Sequence, residues 1–588
     1  MTLTLAACLL LWIATVYSLT TYPIVKTSYG SIRGYEYTTK GGFTGQIYKK
    51  LPYAKPPTGD RRWRRVERPD PWKETIDGTF FGPACAQRTP FYDGPVTGFS
   101  EDCLHVNIYT SERCIMSNGS CPVVFYIHGG NVLFDGPMMF PDEAVVTNFA
   151  SQGTIIATTT YRLGVFGTMA LGDENVVPAN LALHDTLDSL RFVRQEIHNF
   201  GGDKDKITLM GHSSGALMVL MIAFSPGITT KQDPHLFSSI IAMSGSVNLE
   251  SEEKQVTRSH SVAKSIGCKD GAAEAIIACM RNKTTEEILS KTSKSFATLK
   301  GITMAGELMP IRNVKEMWEN PPKIRMMLGT TLNEFEGNSR NNESKSHKME
   351  PNDVNRILGI VNDEECNNKY FIDTRMGKFD PGYDTVSQAI FMTNWMYAYA
   401  DAQEEADVYL YQYDYPKNSK HTDDLSYIMG FHTHETDINE EWLSRVYPRY
   451  FTNFIRGNRP VLDWYSVKPN LMNYYSINKS LTEDVQPHMK FGYHYAIANY
   501  YVDYMKYDGG LTQFKQKILN LPVHYKSFNV TGGIGEFFDA MTTVDYIIFV
   551  VVIIVVLSVI IGLCNCIRKS CCKKKSVERH PLLAQNFQ

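Results

Sequence analysis

Gly211-His212-Ser213-Ser214-Gly215 is a pattern able to make a serine reactive. It follows an apolar β-type run at 207–210 and precedes a helix-forming apolar stretch at 216–223. Glycines two residues either side of a serine suit a sharp strand-to-helix turn, because side chains there would collide as the backbone folds back. The turn lifts the serine oxygen clear of the sheet, and the next helix points its first amides at an anion forming beside it. A serine is a poor nucleophile at pH 7 and needs a base within hydrogen-bond reach, itself oriented by a third group. His421 in His421-Thr422-Asp423-Asp424-Leu425 is the candidate base, just after a strand-like run at 406–411. Glu334 in Gly329-Thr330-Thr331-Leu332-Asn333-Glu334 is the candidate acid, directly after a run at 325–329. Serine, acid, histidine is one of the chain orders in which such triads occur. The oxyanion needs backbone donors. These are expected from the amide of Ser214 and from His128-Gly129-Gly130-Asn131, where glycines allow close approach to a substrate. His128 itself reads as a structural histidine. His432, His434 and Glu435 lie close together after the base segment, but such residues hold zinc only when they converge, and a surface or supporting role fits them better. No metal and no cofactor are expected.

Three such side chains, far apart in the chain, need a rigid frame. Strand-like runs at 123–127, 155–159, 207–210, 239–244, 325–329 and 406–411 alternate with helix-length amphipathic stretches such as 182–199. This alternation predicts an α/β fold: a central, mostly parallel sheet flanked by helices on both faces. Sites form at the carboxyl ends of parallel strands, where the serine, acid and histidine segments all fall. There is no internal repeat and no low-complexity tract.

The chain has 588 residues, 43% of them hydrophobic, enough to bury a large core as one α/β unit. With 59 basic and 62 acidic residues and no basic stripe before the last twenty or so positions, nucleic-acid binding is not expected. Both ends carry targeting signals. Residues 1–18 read as a signal peptide, an apolar run ending in Val16-Tyr17-Ser18, although no Lys or Arg precedes the run. Residues 546–567 contain no charge and as a helix span about 33 Å, one bilayer crossing. Arg568, Lys569, Lys573, Lys574 and Lys575 follow and place the end of the chain in the cytoplasm. The expected organisation is a lumenal or extracellular domain at 19–518, a juxtamembrane stalk at 519–545, one C-terminal transmembrane helix at 546–567 and a cytoplasmic tail at 568–588: a single-pass type I membrane protein. Short spacings suggest local loops closed as Cys85–Cys103, Cys114–Cys121 and Cys268–Cys279 with Cys366 left over, although spacing alone does not fix connectivity. Sequons at Asn118, Asn282, Asn342, Asn478 and Asn529 are candidate glycosylation sites in the same portion.

Further segments carry a resemblance. Leu51-Pro52-Tyr53-Ala54-Lys55-Pro56-Pro57, Glu101-Asp102-Cys103-Leu104-His105-Val106-Asn107-Ile108, Tyr161-Arg162-Leu163-Gly164 and Asn199-Phe200-Gly201-Gly202-Asp203 are similar to segments of type-B carboxylesterases, the family of cholinesterases and neuroligins. The chain resembles that family from about residue 21 to 460. The resemblance implies an α/β-hydrolase fold and Ser213, Glu334 and His421 as triad. It also implies Gly129, Gly130 and Ser214 near the oxyanion hole, and disulfides Cys85–Cys103 and Cys268–Cys279. The chain departs from the family pattern in three places. Asn131 stands where a third glycine is usual, His212 replaces a common glutamate, and the Cys85–Cys103 loop has no tryptophan to hold a quaternary ammonium. Choline esters are therefore not expected substrates.

Two functions follow from the resemblance. One is hydrolysis of small-molecule carboxylic esters, or transfer of their acyl group to a small glycoside or alcohol, through a Ser213 acyl-enzyme. Some membrane-anchored relatives in lysosome-related organelles are of the transferring kind. The alternative is neuroligin-like adhesion, favoured by the anchor and opposed by an intact triad and a short tail. Glu578-Arg579-His580-Pro581-Leu582-Leu583 resembles an acidic dileucine signal, so a sorting adaptor at Leu582 and Leu583 is an expected partner, at the cell surface or on an endolysosomal membrane. Cys564, Cys566, Cys571 and Cys572 sit where palmitoylation occurs. Oligomeric state is left open by the sequence.

Overall fold

A computed structural model of the protein describes residues 22–493 without 88–97, 230–235, 246–248, 293–298, 300, 313, 318–322, 335–406, 432–433, 469–470 and 472. The chain divides into two units, Met1–Leu521 and Pro522–Gln588, and every described residue belongs to the first. The expected signal peptide at 1–18, stalk at 519–545, transmembrane helix at 546–567, tail with Leu582 and Leu583, Cys366, Asn342 and Asn529 lie outside the described residues. Among the described residues no helix is long and apolar enough to cross a membrane.

Among the described residues eleven strands form one sheet. In chain order they are β1 (Tyr35–Thr38), β2 (Thr44–Pro52), β3 (His105–Thr110), β4 (Cys121–Ile127), β5 (Ile155–Thr159), β6 (Gly202–His212), β7 (Ser239–Met243), β8 (Arg325–Thr331), β9 (Val408–Tyr413), β10 (Tyr474–Ile477) and β11 (His488–Lys490). Across the sheet the order is β11-β10-β9-β8-β7-β6-β4-β5-β3-β2-β1. From β5 through β10 every neighbouring pair is parallel, while β3, β2 and β1 on one edge and β11 on the other are antiparallel.

The register puts alternate rows on opposite faces, as a strand period of two requires. Ala157, Phe125, Leu209, Ile240, Met326 and Val408 pair across the parallel strands and share a core with Leu187 and Leu190 of helix α2 (Leu181–Glu196) and Ala216 and Val219 of helix α3 (Ser214–Phe224). The next row, Tyr126, Met210, Ile241, Met327 and Tyr409, packs with Val145 and Val146 of helix α1 (Asp142–Asn148) and Phe451 and Phe454 of helix α4 (Ile438–Ile455). Both faces of the parallel strands are therefore covered, which is why they read as unbroken apolar runs rather than as alternation.

All six expected strands are present, 155–159 with the ends expected and the others with shifted ends. β6 starts at Gly202, its pairing to β4 interrupted between Gly202 and Ile207, and β9 runs 408–413 rather than 406–411. Tyr409 and Tyr411 turn to the α4 face, and Tyr413 continues that pattern at the strand end. The helix expected at 182–199 ends at Glu196 and tightens into a 3-10 turn over Ile197–Phe200. Disulfides join Cys85 to Cys103, Cys114 to Cys121 and Cys268 to Cys279.

Candidate active site

Ser213 sits between the last residue of β6 and the first of α3, with φ 55° and ψ −123°. That backbone region is costly for a residue with a Cβ, about 1–3 kcal/mol, and persists only where surroundings enforce it. Here Ser213 N–H donates to Met243 O at 2.9 Å and Ser213 O accepts from Leu217 N–H at 3.0 Å. The flanking glycines are required by close approach. A Cβ on Gly211 would lie 2.5 Å from the Gly215 carbonyl, and one on Gly215 would lie 2.1 Å from the carbonyl oxygen of Ile127 in β4.

The turn delivers the hydroxyl to the imidazole. Ser213 Oγ lies 2.8 Å from His421 Nε2, and His421 Nδ1 lies 2.5 Å from Glu334 Oε2. Glu334 is fully buried and His421 is 16% exposed at its side chain. Glu334 Oε1 accepts from the Thr331 amide at 2.8 Å and from Ser244 Oγ at 2.7 Å. Thr331 ends β8 and Ser244 directly follows β7. The His421 N–H donates to Glu334 O at 2.7 Å, which joins the backbone of the two loops as well as their side chains. A carboxylate only accepts, so Nδ1 carries the hydrogen and Nε2 presents a lone pair to the serine hydroxyl. The structure thus brings together Ser213, His421 and Glu334 at the carboxyl ends of β6, β8 and β9.

The loop after β4 lies beside the serine: a Cβ on Gly129 would come to 3.2 Å from Ser213 Cβ. Gly130, Asn131 and Val132 all have left-handed φ, at 91°, 58° and 58°. Asparagine tolerates that region better than most residues, and the Asn131 side chain is exposed. A valine there is strained. Val132 is fully buried and tied down on both sides, its N–H donating to Ser214 Oγ at 3.1 Å and its O accepting from Gly164 N–H at 2.7 Å. Ser214 opens α3, where backbone N–H groups have no partner inside the helix. Burial pushes Asp135, at the end of this loop, up to about 7.

His128 is structural, as its sequence context suggests. It stacks on Tyr161 with ring centres 4.5 Å apart, bonds to Gly129 O through Nδ1 at 2.9 Å, and burial lowers it to about 4. His434 approaches Glu440 Oε1 and the Tyr427 hydroxyl, each at 3.2 Å, while His432 lies outside the described residues. Asn118 and Asn282 are exposed and Asn478 is half-buried.

Sequence reasoning missed several residues of the site. Ser244 and Thr331 hold the acid, and His212 reaches the base segment, its Nε2 2.6 Å from His421 O. Asp424 is buried beneath the base segment, where Tyr447 of α4 donates to its Oδ2 at 2.9 Å. Burial first, and then the negative charge of Glu334, push Asp424 up to about 8. The only signal in the sequence was position: a polar residue at a strand's carboxyl end for Ser244 and Thr331, and proximity to the base for Asp424.

A profile of the Carboxylesterase family matches residues 21–493. Carboxylesterase 1C of Rattus norvegicus is 32% identical over 308 residues, 49% of this chain and 53% of that protein. Juvenile hormone esterase of Tribolium castaneum is 32% identical over 290 residues, 47% of this chain and 46% of that protein, so the aligned part spans about half of each of these relatives. Acylcarnitine hydrolase of Mus musculus is 27% identical over 486 residues, 74% of this chain and 84% of that protein. Since the profile takes in the whole sheet together with all three residues of the hydrogen-bonded relay, the chain belongs to the carboxylesterase family.

Proposed function

We propose that the protein cleaves carboxylic esters through an acyl-enzyme on Ser213. The observation that carries this reading is the relay itself, 2.8 Å from serine to imidazole and 2.5 Å from imidazole to carboxylate. In the first step His421 Nε2 takes the serine proton while Oγ bonds to the ester carbonyl carbon, leaving an oxyanion. Glu334 fixes the imidazole and stabilises the cation that it becomes. The amide of Ser214 and the Gly129–Gly130 backbone supply donors to the oxyanion. Collapse breaks the ester bond, and His421 returns the proton to the departing alcohol. A water or a second alcohol then gives its proton to His421 and attacks the acyl carbon, and as the acyl–Oγ bond breaks His421 passes that proton to Ser213.

The choice between water and an alcohol separates hydrolysis from acyl transfer. Transfer to a small glycoside or alcohol is the variant that the resemblance favours. The same reading puts the domain on the lumenal or extracellular side of a membrane, anchored by residues 546–567 and sorted through Leu582 and Leu583. Three disulfides and the exposed sequons Asn118 and Asn282 support that side. Adhesion on a hydrolase scaffold has no observation in its favour.

The test is hydrolysis of p-nitrophenyl esters by the purified chain, with mass spectrometry of the acyl adduct. The reading expects turnover that Ser213→Ala abolishes, and an adduct on the Ser213 peptide that a nucleophilic alcohol discharges if transfer operates. Equal turnover in wild type and Ser213→Ala overturns it.

A further inference from the structure

The His421 ring is held by Glu334 and Ser213, but those two bonds fix it only if the backbone that carries it stays in place. Between the end of β9 at Tyr413 and the short helix Leu425–Met429 the chain has no regular element. Its position depends on individual bonds, and the peptide of His421 is gripped at both ends. On one side its N–H donates to Glu334 O at 2.7 Å. On the other its carbonyl faces His212 Nε2 at 2.6 Å.

A carbonyl oxygen only accepts, so Nε2 of His212 carries the hydrogen. His212 is 2% exposed, and its ring centre lies 4.9 Å from that of His421 at a 45° tilt. It also borders the glycine loop, since a Cβ on Gly129 would fall 3.6 Å from Nδ1 and 3.0 Å from the His212 carbonyl. From within the serine turn, one imidazole therefore bonds to the base segment and lies beside the glycine loop. The residue before the nucleophile grips the residue that activates it.

We propose that His212 is a positioning residue for the base: its Nε2–H tethers the backbone carbonyl of His421 and so sets where the His421 ring stands relative to Ser213. This rests on the hydrolase reading and deepens it. The tether needs a donor at that point in space. A glutamine side chain places an amide N–H at similar reach, methionine fills the volume without a donor, and a glutamate carboxylate opposes the carbonyl.

The test compares the full chain with His212→Gln, His212→Met and His212→Glu in p-nitrophenyl ester turnover, alongside Tm. A displacement of the base by about 1 Å costs about 100-fold in rate. His212→Met is therefore expected to lose about 10- to 100-fold in kcat with KM within about threefold, and His212→Gln to stay within about threefold of wild type. Should His212→Met fail to fold, His212→Glu takes its place, being nearly isosteric with glutamine and lacking the donor. Wild-type kcat in the Met or Glu variant, or an equal loss in the Gln variant at unchanged Tm, overturns the tether alone. A wild-type chain without Ser213-dependent turnover overturns the hydrolase reading and the tether with it.

Discussion

Glu334 sits where separate segments meet: the Thr331 amide and Ser244 hydroxyl bond one oxygen and His421 the other. A glutamine there cannot accept at both ends, because its amide group would face either those two donors or the Nδ1–H. Glu334→Gln should therefore lower kcat by about 10³- to 10⁴-fold with little change in KM, as loss of the orienting carboxylate does in serine triads generally. A steady-state assay on the purified variant checks this, and a loss under about tenfold would count against the relay. Asp424 makes a different prediction. Its carboxyl is held up to about 8 by burial and by the charge of Glu334, against about 3.9 in an unfolded chain. The folded state thus binds that proton more tightly, and the stability it contributes at low pH is lost as pH rises through that window, at up to about 1.4 kcal/mol per pH unit. Asp424→Asn keeps an acceptor for the Tyr447 hydroxyl and cannot ionise. Its Tm should gain on wild type steadily from about pH 4 to about pH 8, and parallel Tm curves would contradict the shift.

At the scale of elements, the serine turn works because two backbones pass without side chains between them. A Cβ on Gly215 would meet Ile127 O at 2.1 Å, and that oxygen belongs to a central strand that cannot retreat. Gly215→Ala should therefore cost at least about 3 kcal/mol, at the upper end of overpacking penalties, and calorimetry reads this as a depressed Tm. A Tm within a degree or two of wild type would show the turn to be softer than its geometry implies. The same elements show what the sequence disclosed. The central strands were legible because burial on both faces makes them continuous apolar runs. The edge strands Tyr35–Thr38 and His488–Lys490, and Tyr474–Ile477 beside the latter, were not, being three or four residues long and mixed in polarity. The serine turn was legible because five consecutive residues encode it. Glu334 and His421 were legible because each follows a strand in a workable order. His212 reaching across to His421, Ser244 bonding Glu334, and Tyr447 bonding Asp424 were not, since each contact joins residues whose proximity only the folded sheet creates.

At the scale of the whole molecule, the ends of β6, β8 and β9 in one sheet bring Ser213, Glu334 and His421 to one point. A serine activated by His421 and Glu334 in that frame should react with a fluorophosphonate. The most direct test of this is intact-mass measurement of the chain after treatment with a fluorophosphonate, for wild type, Ser213→Ala and Glu334→Gln. One adduct is expected on the Ser213 peptide of wild type, none in Ser213→Ala, and much slower labelling in Glu334→Gln. A wild-type chain that takes up no adduct, or a Ser213→Ala chain labelled as fast as wild type, would contradict it.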